Sequence, residues 1–88
     1  MNNYELTFLL ENEEDKKALT DILGSLSANI KEEKSWGHRQ LAYPVKKKHS
    51  AHYYTWHIEL DKKKVSELKR KLNFNEKLLR YLLLLFPS

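Results

Sequence analysis

The feature of this sequence that most restricts its fold is the order in which strand-like and helix-like patterns of apolar residues follow one another. Apolar residues alternate with period two in residues 4–10 and in residues 51–60, which predicts two half-buried strands. In residues 18–26 and 65–72 they recur at helical spacing, which predicts two amphipathic helices. Residues 36–45 are rich in β-prone side chains and predict a further strand between the first helix and the strand at 51–60.

The apolar run from Leu78 to Phe86 is ambiguous, because leucine favours a helix whereas a short continuous apolar run also suits a buried strand. Its length, the order of the preceding elements and Pro87 directly after it favour a strand. The element order is then β-α-β-β-α-β. This order predicts an α+β, ferredoxin-like split βαβ fold, with two helices on one face of a four-stranded antiparallel sheet, as a single domain over residues 1–88.

Local signals set the expected ends of these elements. Asn12 and Asp61 have side chains suited to helix N-caps, and the first helix is expected to end near residues 27–29. Residues 30–34 are polar and give no clear prediction. Residues 46–50 are expected to form the turn between the second and third strands.

Composition and motifs argue against an enzyme. The chain has no cysteine, so neither a disulfide framework nor a thiolate zinc site can form. Its two glycines cannot build a glycine-rich phosphate loop, and no nucleophile with a base and an orienting third group is visible. The four histidines are His38, His49, His52 and His57. His52 and His57 fall on opposite faces of their predicted strand, His49 lies in the turn, and no carboxylate is placed to complete a metal site. No metal and no cofactor is therefore expected.

The amino terminus and the apolar runs bear on location. The first residues lack a basic segment followed by an apolar stretch, so a secretory signal is not expected. The longest apolar run falls far below the roughly 20 residues that span a bilayer. We therefore expect a cytoplasmic protein with no membrane partner.

A basic segment follows the second predicted strand. Pro44 cannot donate to a sheet ladder, which predicts that this strand lies at an edge, and three lysines follow it at positions 46–48. With Arg39 on the same strand, a net charge of +4 and a pI near 9.3, the segment is a candidate phosphate-binding surface. Lysine-rich turns also keep small proteins soluble, and composition alone leaves both readings open.

The sheet face away from the helices offers another candidate site. Tyr53 and His57 should lie on it, where aromatic residues of RNA-recognition domains with this fold stack on bases. The expected third-strand octet of those domains is not matched by residues 51–58. A protein partner is the alternative occupant of this open face.

The motif Gly37-His38-Arg39-Gln40-Leu41-Ala42-Tyr43-Pro44-Val45 resembles the second strand of a known family, that of the sixth protein of the bacterial small (30S) ribosomal subunit. Tyr4-Glu5 at the start of the first strand is similar to that family as well. So are the pattern of Val65, Leu68 and Leu72 and the segment 75–80. The chain departs from the family in having Asn2 and Asn3 where arginines are frequent, and in ending at Ser88 without the usual tail.

The resemblance implies a structural constituent of the small ribosomal subunit, in the cytoplasm. It implies binding to central-domain 16S-type rRNA together with the eighteenth small-subunit protein, with no small-molecule substrate. The expected RNA or partner contacts are Arg39, Lys46, Lys47, Lys48, Arg80 and His38, with Tyr53 and His57 as open-face contacts. The alternative is a free-standing ferredoxin-like interaction or regulatory domain that self-associates through its open sheet face.

Overall fold

The computed structural model describes residues 2–85, and the order of its elements confirms the predicted β-α-β-β-α-β sequence. Phe86 and Pro87, which the sequence placed at the end of the last strand, lie outside the described residues. The strands are β1 (Asn2–Leu10), β2 (Asn29–Val45), β3 (Lys48–Leu60) and β4 (Leu78–Leu85), and the helices are α1 (Lys16–Ser25) and α2 (Val65–Phe74). Short 3₁₀ turns, Glu13–Asp15 and Lys62–Lys64, lead into the two helices.

The four strands form one antiparallel sheet in the order β2-β3-β1-β4. This topology confirms the ferredoxin-like fold, and it confirms that β2 lies at an edge, as Pro44 predicted. The other edge is β4. The main core lies between the sheet and the helices, where Phe8 stacks on Tyr54 at 5.2 Å and meets Trp56 edge-on at 4.9 Å. Leu23 and Leu68, from the predicted stripes of α1 and α2, are fully buried against it.

The helix ends differ in part from the prediction. Asp61 caps the turn before α2, since its Oδ1 accepts from the Lys63 amide at 3.0 Å. Asn12 does occupy the N-cap position, that of the turn Glu13–Asp15, but its side chain makes no capping bond, and only its carbonyl accepts from Asp15 N at 3.1 Å. At the end of α1, Ser27 adopts φ 58°, in the left-handed region that favours glycine.

Strand β2 is much longer than the sequence indicated. Residues 30–34, whose polar pattern gives no clear prediction, belong to β2 and pair with β3, as in Ile30 opposite Ile58 and Glu33 opposite Trp56. All residues from 31 to 40 are exposed, because β2 is an edge strand with no helix on this part of it. A strand with neither face buried has no reason to alternate apolar and polar residues, which explains the missing period-two signal.

The end of the β2–β3 hairpin is irregular. Gln40 pairs with Ser50 and Val45 with Lys48, so four residues of β2 stand opposite the single residue His49. This bulge holds the motif from Leu41 to Pro44, and Pro44 is tolerated there because the ladder is interrupted. The predicted five-residue turn at 46–50 is in fact a two-residue loop, because β3 begins at Lys48.

Candidate nucleic-acid interface

Two long cations tie the irregular end of the hairpin to strand β4. Lys46 Nζ donates to the carbonyl of Leu78 at 3.0 Å, and Arg80 Nη1 donates to Tyr43 Oη at 3.3 Å. Both bonds join the end of β2 to the start of β4, although β3 and β1 lie between these strands in the sheet. The bulge therefore bends over the open face of the sheet, the face opposite the helices.

A small second core lies under this bend. Its buried residues are Leu9, Ala51 and Leu79, with Leu41, Val45 and Tyr53 packed against them. The members come from all four strands, so burial at this point fixes the bulge on the sheet. At roughly 25 cal/mol per Å² of apolar surface removed from water, even this small cluster stabilises the bend.

The predicted RNA-contacting residues have different surroundings. Arg39 is exposed, and its Nε donates to the Trp36 carbonyl at 2.9 Å, which leaves its terminal nitrogens available. Lys48 pairs with Glu11 at 2.9 Å. Lys47 is exposed and makes no hydrogen bond or ion pair with any residue in the range 2–85. His38 lies at the β2 edge with its ring 4.9 Å from that of His52.

The pairing of Lys48 with Glu11 has an electrostatic consequence. The hydrogen bond from Lys48, and then its charge, lowers the pKa of Glu11 below its usual value of 4.5. Lys48 is thus engaged with a carboxylate, and Lys46 with a carbonyl. In the tip of the hairpin, Lys47 is the cation that the described structure leaves for an external anion.

A concavity of about 600 Å³ lies on the open face between the bent part of β2 and the middle strands. Trp36 and Arg39 line one side of it, and Tyr53, Thr55 and Thr7 line the floor. Trp36 Nε1 donates to Thr55 Oγ1 at 3.0 Å, and the Trp36 ring meets that of Tyr53 edge-on at 6.2 Å. The indole is thereby held in place while 41% of the residue remains exposed.

The charge of the open face changes along the strands. Arg39 and Arg80 lie at the end near the hairpin tip. Toward the other end, Glu5 and Glu32 both stand opposite His57, one from each neighbouring strand. The face thus has a basic end and an acidic end. Tyr53 and His57 do lie on the open face, as predicted from their parity, and both are partly buried.

Sequence reasoning missed several residues of this surface. The β propensity of Trp36 and Tyr43 predicts only that they form a strand, whereas the structure leaves them 41% and 62% exposed. The continuous apolar run of the last strand predicts a buried strand, but Leu82 and Leu84 of the edge strand β4 are 55% and 50% exposed on the open face. An apolar run at the end of a chain cannot reveal that its strand is an edge, because the pairing is a tertiary property.

Two observations concern other classes of site. Among residues 2–85, no group of three or more histidine or acidic side chains is placed to hold a metal ion. The two α-helices in the same range have ten residues each, well short of a membrane-spanning helix of roughly 20 residues.

Comparison with known proteins identifies the family. The family model of ribosomal protein S6 matches residues 3–84. The small ribosomal subunit protein bS6 of Vesicomyosocius okutanii subsp. Calyptogena okutanii (strain HA) is 31% identical over 90 residues, covering 96% of this chain and 80% of that protein. The crystal structure of 30S ribosomal protein S6 from Thermotoga maritima superposes with a TM-score of 0.84 at 19% identity, covering 97% of this chain and 87% of that one, a likeness of fold. Since the family model spans nearly the whole chain and the sequence relative agrees with it, the chain belongs to the ribosomal protein S6 family.

Proposed function

We propose that this chain binds the central-domain RNA of the small ribosomal subunit through the tip of its β2–β3 hairpin, and binds the eighteenth small-subunit protein through its open sheet face. As a member of the S6 family it is a structural ribosomal protein of the cytoplasm and not an enzyme. Its contribution is therefore electrostatic and geometric: cations neutralise phosphates, and a rigid sheet presents a surface to a neighbour.

The backbone of the hairpin tip carries the RNA part of the proposal. Lys46 and Lys47 are the two loop residues, with φ 50° and φ 67°. Two-residue loops with positive φ at both positions favour Asn-Gly, because a Cβ in the left-handed region costs roughly 1–2 kcal/mol per residue. Two lysines at these positions therefore lower the stability of the hairpin while they add positive charge to it. Strained backbone positions of this kind concentrate at functional sites.

The composition of the open face supports a protein partner. Leu82, Leu84 and Trp36 expose half or nearly half of their surface on it, beside the hydroxyl pair of Thr7 and Thr55, whose oxygens are 3.3 Å apart. Apolar residues surrounded by polar groups are typical of a protein interface. The basic end of this face adjoins the hairpin tip, so RNA and protein contacts would lie side by side.

The salt dependence of RNA binding tests the RNA contacts. We compare wild type with the double variant Arg39→Gln/Lys47→Gln, using central-domain RNA in the presence of the eighteenth protein. The slope of log K against log [salt] is negative, and each lost phosphate contact should reduce its magnitude by about 0.7–0.9. The variant Lys17→Gln/Lys31→Gln is the matched control, since it removes the same charge from two exposed lysines elsewhere. Equal slopes for both variants would contradict the assignment of Arg39 and Lys47.

The partner surface has its own test. Leu84→Asp should abolish binding of the eighteenth protein without affecting the fold. Thr20→Asp, on the exposed side of α1, is the control and should leave binding of that protein unchanged. Sedimentation of a cell extract separates the proposal from self-association through the open face. Cofractionation with small subunits supports a ribosomal role, and a free homo-oligomer would contradict it.

A further inference from the structure

The positive charge of this chain is concentrated in two segments. Residues 62–77 contain seven lysines or arginines and two carboxylates, so this segment alone exceeds the net charge of +4 of the whole chain. Residues 36–49, at the end of the hairpin, contain four cations and no carboxylate. The remainder is net acidic. The hairpin therefore accounts for only part of the basic character of the protein, and the second basic segment lies on the helix side of the sheet.

Four of the seven cations form a stripe on the outer side of α2 and the 3₁₀ turn before it. Leu68 and Leu72 are buried against the core, which turns the opposite side of the helix to solvent. That side carries the α2 stripe, which comprises Lys62, Lys63, Lys69 and Arg70, all exposed. The sequence spacing gives two rows, 62 with 69 and 63 with 70, each extending roughly 10–12 Å along the axis, at about 1.5 Å per residue in α2 and about 2.0 Å in the 3₁₀ turn.

Two of the other three lysines of this region have structural roles. Lys64 Nζ donates to the Leu26 carbonyl at 3.1 Å, and Lys71 Nζ donates to Ser25 Oγ at 3.2 Å. Both place a cation at the C-terminal end of α1, where the helix dipole favours positive charge. None of the four stripe residues makes a hydrogen bond or ion pair through its side chain with any residue in the described part of the chain.

The α2 stripe also differs from an ordinary solubilising surface. Exposed helix faces commonly alternate the sign of charge at spacings of three and four, which stabilises the helix. Here Glu67 is the one carboxylate of α2. It follows Lys63 by four residues and precedes Arg70 by three, and it forms no ion pair with another residue between 2 and 85. Like charges so arranged repel one another, a cost that a polyanion bound to the stripe would remove.

An exposed aromatic residue adjoins the stripe. Phe74, the last residue of α2, is 78% exposed and lies four residues after Arg70, on the neighbouring part of the helix surface. A phenyl ring open to water does not aid solubility. An aromatic ring beside a row of cations is instead a combination that binds nucleic acid, by stacking on a base while the cations meet phosphates.

We propose that the α2 stripe is a second RNA-binding surface, which holds the phosphate backbone of small-subunit RNA on the side of the molecule opposite the open sheet face. The proposal rests on the proposed function, since it assigns a further contact with the same RNA. Each row places two cations along the helix surface, so the stripe can neutralise several phosphates of one RNA strand at once. The protein would then contact RNA at the hairpin tip and again on its helix side, with its protein partner on the open sheet face.

Salt-dependent binding distinguishes this surface from the hairpin tip. The probe is central-domain RNA with the eighteenth protein, and the variant is Lys62→Gln/Lys69→Gln, compared with Lys17→Gln/Lys31→Gln. We expect the stripe variant to lower the salt slope by about 1.4–1.8, while the control stays within about 0.3 of wild type. Phe74→Ser should weaken binding several-fold without changing the slope. Thermal unfolding of each variant, expected to match wild type, shows that the fold is intact.

The outcomes separate the two proposals. If wild type binds and Arg39→Gln/Lys47→Gln lowers the slope while the stripe variant matches the control, the α2 stripe is not an RNA contact and the hairpin assignment stands. If the stripe variant alone lowers the slope, the second surface is supported and the hairpin assignment fails. If wild type does not bind this RNA at all, both proposals are refuted.

Discussion

Replacing Lys47 by glycine should make the protein more stable and a weaker RNA binder. Lys47 has φ 67°, where a side chain costs roughly 1–2 kcal/mol, and glycine removes that cost. Glycine in turn loses about 0.5–1 kcal/mol more conformational entropy on folding than a residue with a side chain. Because the exposed Lys47 makes no hydrogen bond or ion pair with residues 2–85, no such interaction is lost. The free energy of unfolding should therefore rise by about 0.5–1 kcal/mol.

Thermal and urea unfolding measure the change in stability, and an RNA-binding assay measures the change in affinity. In a chain of this size the expected gain corresponds to a rise in Tm of roughly 2–8 °C. Lys47→Gly should also lower the salt slope of RNA binding by about 0.7–0.9, for one phosphate contact. Lys46 is less suitable for this test, since its replacement also breaks the bond to the Leu78 carbonyl.

Ser27→Gly is the matched control for this experiment. Ser27 has φ 58° at the end of α1, outside the hairpin, so its replacement should give a similar gain in stability with unchanged RNA binding. If Lys47→Gly fails to raise the free energy of unfolding while Ser27→Gly does, the hairpin tip is not strained. If Lys47→Gly is more stable and binds RNA as wild type does, the strain exists but has no role in RNA binding.

Three further predictions concern stability. Gly24→Ala should raise the free energy of unfolding by about 0.4–1 kcal/mol and Gly37→Ala should lower it, by urea unfolding, because a Cβ meets no atom within 4 Å at either site but Gly37 has φ 85°. Lys64→Met should lower the free energy of unfolding by roughly 1 kcal/mol, since it leaves a carbonyl at the end of α1 without its cation, and an unchanged urea midpoint would contradict this role. Pairing with Lys48 lowers the pKa of Glu11 in the folded state, so this pair stabilises the protein above about pH 4.5, and the stabilisation is lost as the pH falls through the lowered pKa. Glu11→Gln should abolish this part of the acid dependence of the free energy of unfolding, measured over a series of pH values.

The main core and the helix side of the fold could be predicted from the sequence because each element there has one buried face. Leu6 and Phe8 on β1, Trp56 on β3, and Leu23 and Leu68 on the helices were all assigned to the core by their spacing, and all are buried. Asp61 was likewise predicted correctly as a cap, since capping is a local interaction between residues two or three apart. The hydrophobic period and the local hydrogen bond act within a few residues, so a single sequence contains them.

The candidate interface depended on contacts between distant residues. Arg39 and the lysine turn were chosen from charge and family resemblance, but the sequence could not show that Lys46 and Lys48 have partners within the chain while Lys47 has none.

Strand β2, exposed on both faces over residues 31–40, had no periodic signal to find. By itself the sequence determined the order of elements, the core and the presence of two basic segments. Only the tertiary structure decided which cations are left for a partner, because sheet order and the bulge bring side chains together from positions more than thirty residues apart.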